Sequence, residues 1–381
     1  MAGGNKHDKD DRRDRVKRIL IFLLIMPCFF LRAYADDLLE YSAEIFETDR
    51  LESGLSEEEK SISGSPKLDG SYDVGGAIRR LWNSFIHKAY DELRSNLKYG
   101  AALIGIALCC AFGSSICRGG SIAEYIELLG ACAAAAFLIN GVDSIVTETV
   151  DAMYRLSDYS KAALPVVFTA AAAGGAAGSA GVKFAAVSFA LDVLMSISQK
   201  LIIPAVYAYI ALTTSNAVFP NAILSGMSRL TKWAAATLMS GSTIAFTAYM
   251  SVTGVMSTAV DAAAVKTTRT LISNTLPIVG GMISDASAMI LSAAGIVRSC
   301  TGAFGLMAVC VICAGPFAVL SIKMLVIKAA AVVSESIQCG RMSSLLNGIS
   351  GAISLLMGLL GCCGIMLFIS ITAGMKAVAG L

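Results

Sequence analysis

The chain has 381 residues, of which 56% are hydrophobic and 15% are charged, and its mean hydropathy is +0.69. This composition excludes a disordered or collagen-like chain, and the net charge of +2 excludes a protein that holds a nucleic-acid backbone. Residues 1–98 contain 16 Lys or Arg and 18 Asp or Glu, whereas the remaining 283 residues contain 14 and 10. The first part is therefore expected in water and the second part in a membrane.

The N-terminus has the pattern of a secretory signal peptide. Basic residues up to Arg18 precede a run of 13 apolar residues at 19–31, and this run is too short for a bilayer core that needs about 20. Ala33-Tyr34-Ala35 then fits the small-x-small cleavage pattern. We predict that residues 1–35 are removed. An uncleaved anchor is the alternative, because Arg32 lies beside the cleavage site.

This cleavage can be tested directly. N-terminal sequencing of the membrane-bound protein is expected to begin at Asp36, because export processing cuts after a small residue that closes a short apolar run. A chain that still begins near Met1 would contradict the prediction and would make residues 19–31 a membrane anchor.

Residues 36–98 are predicted to form a short extracytoplasmic ectodomain. The stretch 36–60 carries ten acidic residues, and 61–76 is rich in Ser, Gly and Asp, as a linker would be. An amphipathic helix follows, with apolar residues at helical spacing from Ile78 to Leu97. It leads directly into the first apolar segment, and it could lie on the membrane interface or pack on a partner.

Residues 99–381 are predicted to form an all-α membrane domain with seven or eight spans, because lipid offers no partner to unpaired backbone groups. One segment, 184–213, would form a helix of about 45 Å. It contains Pro204 and could be one tilted helix or two half-spans in a hairpin. The candidate spans are 99–117, 125–142, 162–182, 184–213, 233–258, 300–321 and 349–373, with two further candidate segments at 276–297 and 322–334.

Two stretches between these spans have distinctive compositions. Residues 143–160 are predicted to form an amphipathic connector along the membrane surface, in which Asp151 pairs with Arg155. The stretch 169–181 contains only Thr, Ala, Gly and Ser, and Gly174 and Gly178 would allow close helix contact. This helix is either buried within one subunit or part of a subunit interface or pore lining.

Ionisable residues inside apolar segments are costly, so they are candidate functional residues. Pro277, Gly280 and Gly281 are predicted to break a membrane helix and to present Asp285 to a protein-lined or wet cavity. The alternative is a surface loop in which Asp285 caps a helix that begins near Ala286. The candidate ionisable residues are Asp192, Lys200, Asp285, Lys323 and Lys328, with Lys323, Lys328 and Arg298 as possible partners of Asp285.

No motif in the sequence indicates catalysis. The two histidines lie at positions 7 and 87, outside the apolar region, and no nucleotide-binding or zinc-binding spacing is present. Most of the eleven cysteines lie in apolar segments, where they are interpreted as small packing residues. We therefore expect no enzyme activity, no cofactor and no metal.

One region resembles a known family. The stretch Asp261–Gly305, which reads DAAAVKTTRTLISNTLPIVGGMISDASAMILSAAGIVRSCTGAFG, is similar to the signature of the stage III sporulation protein AE family. The resemblance extends over most of the chain and includes CAGPFAVLSIKMLVIKAAA from Cys313. The positions that carry it are Lys266, Thr267, Arg269, Asn274, Pro277, Val279, Gly280, Gly281, Asp285, Gly302 and Gly305.

The resemblance implies a role in endospore formation. It implies a channel-like assembly between the mother cell and the engulfed forespore, with a cytoplasmic ATPase and ring-forming membrane proteins as partners. The protein would be the membrane conduit or platform of that assembly, and a homo-oligomer is compatible with this role. The alternative is a self-contained secondary transporter with Asp192, Lys200 and Asp285 near a midplane site. The absence of a visible inverted repeat in the sequence favours the first interpretation.

Overall fold

The computed structural model describes residues 48–64, 72–116, 121–172, 177–252 and 280–376. These residues form nine α-helices and one π-helical turn and include no β-strand, so the all-α prediction is confirmed. The predicted signal peptide lies outside the described residues and stays a prediction. The helices are α1 Thr48–Ser53, α2 Glu57–Ser63, α3 Val74–Ile116, α4 Ser121–Ala171, α5 Ala177–Ile197, α6 Ile203–Val218, α7 Ala222–Val252, α8 Gly280–Ser336 and α9 Gly340–Lys376, with the π-helical turn at Ser198–Ile202.

Helix α3 joins the predicted amphipathic helix to the first apolar segment without a break. It has 43 residues, which corresponds to a length of about 65 Å. Its interior contains no proline, and its hydrophobic pattern changes near Tyr99 while the helical hydrogen bonding continues. The charged residues of 74–98 and the apolar residues of 99–116 therefore belong to one rod.

Helix α4 is also longer than any predicted span. Its 51 residues include the predicted span 125–142, the predicted connector 143–160 and the beginning of 162–182. No glycine or proline cluster interrupts this stretch, and Pro165 is accommodated inside the helix. The connector is therefore the middle of a long helix and not a separate helix on the membrane surface.

The segment 184–213 is one long helix and not a hairpin. Helix α5 continues through the π-helical turn into α6, and Pro204 occupies the first turn of α6. Because a proline has no backbone N–H to donate to the preceding turn, it disturbs the regular hydrogen bonding of this continuous helix, and the π-helical turn lies directly before it. The π-helical turn and the proline thus lie together where the sequence suggested an interruption.

Among the described residues, five helical segments are long and apolar enough to cross a membrane, and seven or eight were predicted for the whole chain. The predicted segments 300–321 and 322–334 both belong to α8, and the helical backbone of α8 also covers 280–297. Helix α7 covers most of 233–258 but is not one of the five. The five segments are Val74–Ile116, Ile122–Ala170, Ala180–Val218, Cys300–Ser336 and Gly340–Met375.

Helices α8 and α9 form the antiparallel centre of the bundle. Gly305 of α8 packs on Ile371 of α9, and Cys313 of α8 packs on Gly364 of α9. In the most apolar 18-residue stretch of α8, 67% of the residues are buried, whereas 22% are buried in the corresponding stretch of α3. The apolar side chains of α8 are therefore covered largely by other parts of the protein, whereas the apolar half of α3 faces outward.

Glycines let neighbouring helices approach closely. A Cβ atom on Gly100 of α3 would lie 2.6 Å from Val326 Cγ1 of α8, and one on Gly348 of α9 would lie 2.8 Å from Thr213 Cβ of α6. These contacts are shorter than real Cβ contacts, so only glycine fits. Gly174 lies outside the described residues and only the backbone of Gly178 is described, so their predicted contact stays a prediction.

Candidate functional site

Residues 49–64 form a segment that we call the strap, because it lies across the helices of the membrane domain. Leu51 and Leu55 are buried in the main core of the bundle. Gly54 packs on Tyr159 of α4, where a Cβ atom would lie 3.0 Å from Tyr159 Cδ2. This part of the predicted acidic ectodomain is thus integrated into the helical core.

Hydrogen bonds from α3 and from Tyr72, two residues before it, hold the end of the strap. The Tyr72 hydroxyl donates to the carbonyl of Ser63 at 2.7 Å, and Arg80 Nε donates to the carbonyl of Ile62 at 3.0 Å. Burial raises the pKa of Tyr72 to about 12, so this phenol remains a neutral donor at cellular pH. The strap is therefore fixed at its C-terminal end to the start of α3.

Glu59 connects the strap to α4. One carboxylate oxygen accepts hydrogen bonds from Ser56 N at 2.8 Å and Ser56 Oγ at 3.0 Å, as in a helix capping box. The other oxygen forms an ion pair with Arg155, whose own side chain also approaches Ser56 Oγ. Glu59 is buried and Arg155 is half exposed. The predicted pairing of Arg155 with Asp151 is wrong, because Arg155 reaches the strap instead.

Beside this ion pair lies a cavity of about 70 Å³, which we call the proline cavity. Pro316 interrupts the hydrogen bonding of α8, because a proline has no N–H for the carbonyl of Ile312 four residues earlier. The ammonium of Lys88 approaches the same break, at 3.0 Å from the position of a Cβ atom on Gly315. Ser84, Lys88, Glu148, Arg155 and Pro316 are among the lining residues.

A second cavity of about 110 Å³, which we call the lysine cavity, lies further along the same three helices. Lys323 of α8 donates to Ser144 Oγ of α4 at 3.3 Å, and the Tyr99 hydroxyl of α3 donates to the carbonyl of Phe137 at 3.3 Å. The rings of Tyr99 and Phe137 stack with centroids 4.6 Å apart. Asn96 Nδ2 completes the polar lining and donates to Glu92 Oε1 at 2.8 Å.

The two cavities belong to one polar seam between α3, α4 and α8. On α3, the lining residues Ser84, Lys88 and Asn96 are four and eight residues apart, which places them on one helix face. The seam thus brings charged and polar groups into an interface of otherwise apolar helices. Within the described parts of the chain, no group of three His, Cys, Asp or Glu side chains could hold a metal ion.

The sequence singled out one seam residue directly, Lys323. It missed Glu59, Lys88 and Glu148, because each of them lies in a segment that reads as solvated. Ser84, Lys88 and Asn96 recur at spacings of four and eight residues along a helix, but a polar face of this kind ordinarily faces water, so it did not indicate the seam.

Two of the predicted charged residues lie away from the seam. Asp192 of α5 and Lys200 of the π-helical turn are both exposed, and neither lines the two cavities described above. The structure therefore does not bring them together at an interior site, as a midplane transport site would require. Lys328 of α8 is exposed as well.

The first part of the family signature, residues 261–279, lies outside the described residues. This applies to Lys266, Arg269, Asn274 and Pro277, so their predicted roles stay predictions. Helix α8 begins at Gly280 and continues through Gly281, so Asp285 lies inside the helix and not before a helix that begins near Ala286. The side chain of Asp285 is not described, and its predicted cavity stays a prediction.

Comparison with known proteins identifies the family. No curated protein and no solved structure shows significant similarity to the chain. Residues 70–377, which include the three helices of the polar seam and all five candidate spans, match the family described as stage III sporulation protein AE. This match covers most of the 381 residues. The chain therefore belongs to the stage III sporulation protein AE family.

Proposed function

We propose that the protein is the membrane core subunit of a secretion-like channel complex that joins the mother cell to the forespore during sporulation. Family membership gives the role in sporulation, and the five apolar helices make it a multi-pass membrane protein. The proposal adds the mother-cell membrane around the forespore as its location. It also adds other stage III sporulation proteins as partners, including a cytoplasmic ATPase and ring-forming membrane proteins, and assigns no catalytic activity to this subunit.

The observation that carries this proposal is the continuous extension of α3 beyond its apolar half. Residues 74–98 contain eight ionisable Arg, Lys, His, Asp or Glu residues, whereas 99–116 contain none. Charged side chains are costly in hydrocarbon, so 74–98 belong in water or against protein. Because both halves form one continuous helix, the charged half projects from the half that faces lipid.

An exposed apolar stripe runs along this charged half. Trp82 is 62% exposed and Tyr90 is 65% exposed. A stripe of this kind could bind a membrane surface, but the helix would have to bend near Tyr99 to lie flat, and it is continuous there. Large exposed apolar patches otherwise mark protein contacts. The stripe consists of Val74, Ile78, Trp82, Ile86, Tyr90 and Leu97.

We therefore expect the stripe to hold another subunit of the complex. A Trp82→Glu variant places a charge at the centre of the stripe, where hot-spot residues of an interface, often tryptophans, contribute about 2 kcal/mol or more. Recovery of the ATPase and ring-forming proteins with the tagged chain from sporulating cells is expected to fall about tenfold or more. Heat-resistant spore counts should fall with it.

The matched control is Asn83→Glu, which introduces the same charge in the same helical turn at an exposed polar position. This variant should assemble and sporulate normally. The proposal would be contradicted if the two variants, at equal membrane levels, recovered equal amounts of the partner proteins. It would also be contradicted if neither the ATPase nor the ring-forming proteins co-purified with the unmodified chain.

A further inference from the structure

The lysine cavity contains a positive charge that the described structure does not neutralise. Lys323 Nζ donates to the neutral Ser144 Oγ, and among the described residues no carboxylate lies within ion-pair distance of it. The nearby Glu92 already accepts from Asn96, and Asp143 lies on an exposed part of α4. A partly buried ammonium without a counter-charge is unfavourable, so an anionic occupant would stabilise this site.

The size and hydrogen-bonding groups of the cavity select the kind of anion. Its volume of about 110 Å³ exceeds the roughly 10–15 Å³ that a single water needs. Lys323 has two further N–H groups besides the one directed at Ser144, and Ser144 can donate its own hydroxyl proton. An occupant with several acceptor oxygens and a negative charge, such as a phosphate group, matches these donors.

On α3 and α4, the cavity lies where the apolar residues meet the polar ones, and lipid phosphate groups are expected at such a boundary. The apolar half of α3 begins at Tyr99 and the apolar part of α4 ends near Val142, and both residues line the cavity. Tyrosine is typical of the boundary between hydrocarbon and headgroups. Basic pockets between membrane helices at this boundary bind anionic lipid headgroups.

We propose that the lysine cavity binds a phosphate group, that of an anionic phospholipid, with Lys323 as the cation that recognises it. The lipid would occupy the cleft between α3, α4 and α8 and would complete the polar seam at the membrane boundary. This inference does not depend on the partners of the protein. A free phosphate ion presents the same chemistry, so the experiment must distinguish the two sources.

The test compares the full-length protein in nanodiscs of phosphatidylcholine with and without phosphatidylglycerol. Thermal melting is expected to shift upward when phosphatidylglycerol is present, and native mass spectrometry should show a retained phosphatidylglycerol. Lys323→Gln should remove most of the shift and reduce the retained lipid about tenfold, as expected when a charge-assisted hydrogen bond is lost. Lys323→Arg should retain most of both.

The matched control is Lys328→Gln, because Lys328 is exposed on the same helix and does not line the cavity. It should keep the full shift.

In detergent, thermal melting of the protein in phosphate is compared with its melting in chloride at equal ionic strength. A Lys323-dependent shift with phosphate alone would assign the site to the free ion. Equal losses in Lys323→Gln and Lys328→Gln, or no Lys323-dependent shift with either source, would overturn the proposal. Ser144→Ala serves as the second variant if Lys323→Gln does not accumulate.

Discussion

Replacing Gly348 with alanine is expected to destabilise the protein by about 2 kcal/mol, because overpacking a tight helix contact costs typically 1–3 kcal/mol. Gly348 of α9 faces Thr213 of α6, and the new methyl group would lie 2.8 Å from Thr213 Cβ and 3.2 Å from both Thr213 Cγ2 and Oγ1. No rotamer of Thr213 relieves the first contact, since its Cβ is fixed to the backbone. Thermal melting in one detergent provides the measurement.

The matched control for this substitution is Gly241→Ala. Among the described residues, nothing lies within 4 Å of a Cβ atom placed on Gly241 of α7. Alanine should therefore stabilise that helix by up to about 1 kcal/mol. The double variant Gly348→Ala with Thr213→Gly should regain part of the lost stability, because it removes the opposing Cβ. Equal melting of Gly348→Ala and Gly241→Ala would show that α6 and α9 do not pack this closely.

The sequence predicted the class of the fold because helical periodicity and hydropathy are local properties. The amphipathic stretch between Ile78 and Leu97 is helical, as its spacing indicated. The ends of the helices were harder to predict. Hydropathy changes near Tyr99 and near Val142 because the surroundings of the helix change, but the backbone continues as a helix in both places. Counting apolar segments therefore divided each of the continuous helices α4 and α8 into separate segments.

The polar seam could not be predicted because its partners are far apart in the chain. Glu59 and Arg155 are separated by two long helical segments, and Ser144 and Lys323 are 179 residues apart. A single sequence supports only short-range pairings, such as the expected contact between Asp151 and Arg155 on one helix. Lys323 was recognisable for a different reason, since a lysine inside an apolar segment is unusual by itself.

Removing the carboxylate of Glu59 is expected to detach the strap from the helices. In a Glu59→Ala variant, the ion pair with Arg155 and the capping box with Ser56 are lost together. Hydrogen bonds to charged groups contribute about 1.5–3 kcal/mol, and a value of about 2 kcal/mol is expected because Arg155 is half exposed. Amide hydrogen exchange across residues 49–64 should therefore accelerate, while exchange in α8 and α9 stays slow.

Two further substitutions separate the contribution of the ion pair with Arg155 from that of the capping box with Ser56. Glu58→Ala removes an exposed acid from the same helix and should leave exchange in the strap unchanged. Glu59→Gln keeps a side chain that can close the capping box, but it loses the charge that Arg155 requires, so an intermediate rate is expected. A strap that exchanges equally slowly in Glu59→Ala and Glu58→Ala would show that Leu51 and Leu55 alone hold it in place. If amide exchange in the strap is accelerated equally in Glu59→Gln and Arg155→Gln, the acceleration is due to loss of the ion pair. Both variants remove the same contact, each from its own side.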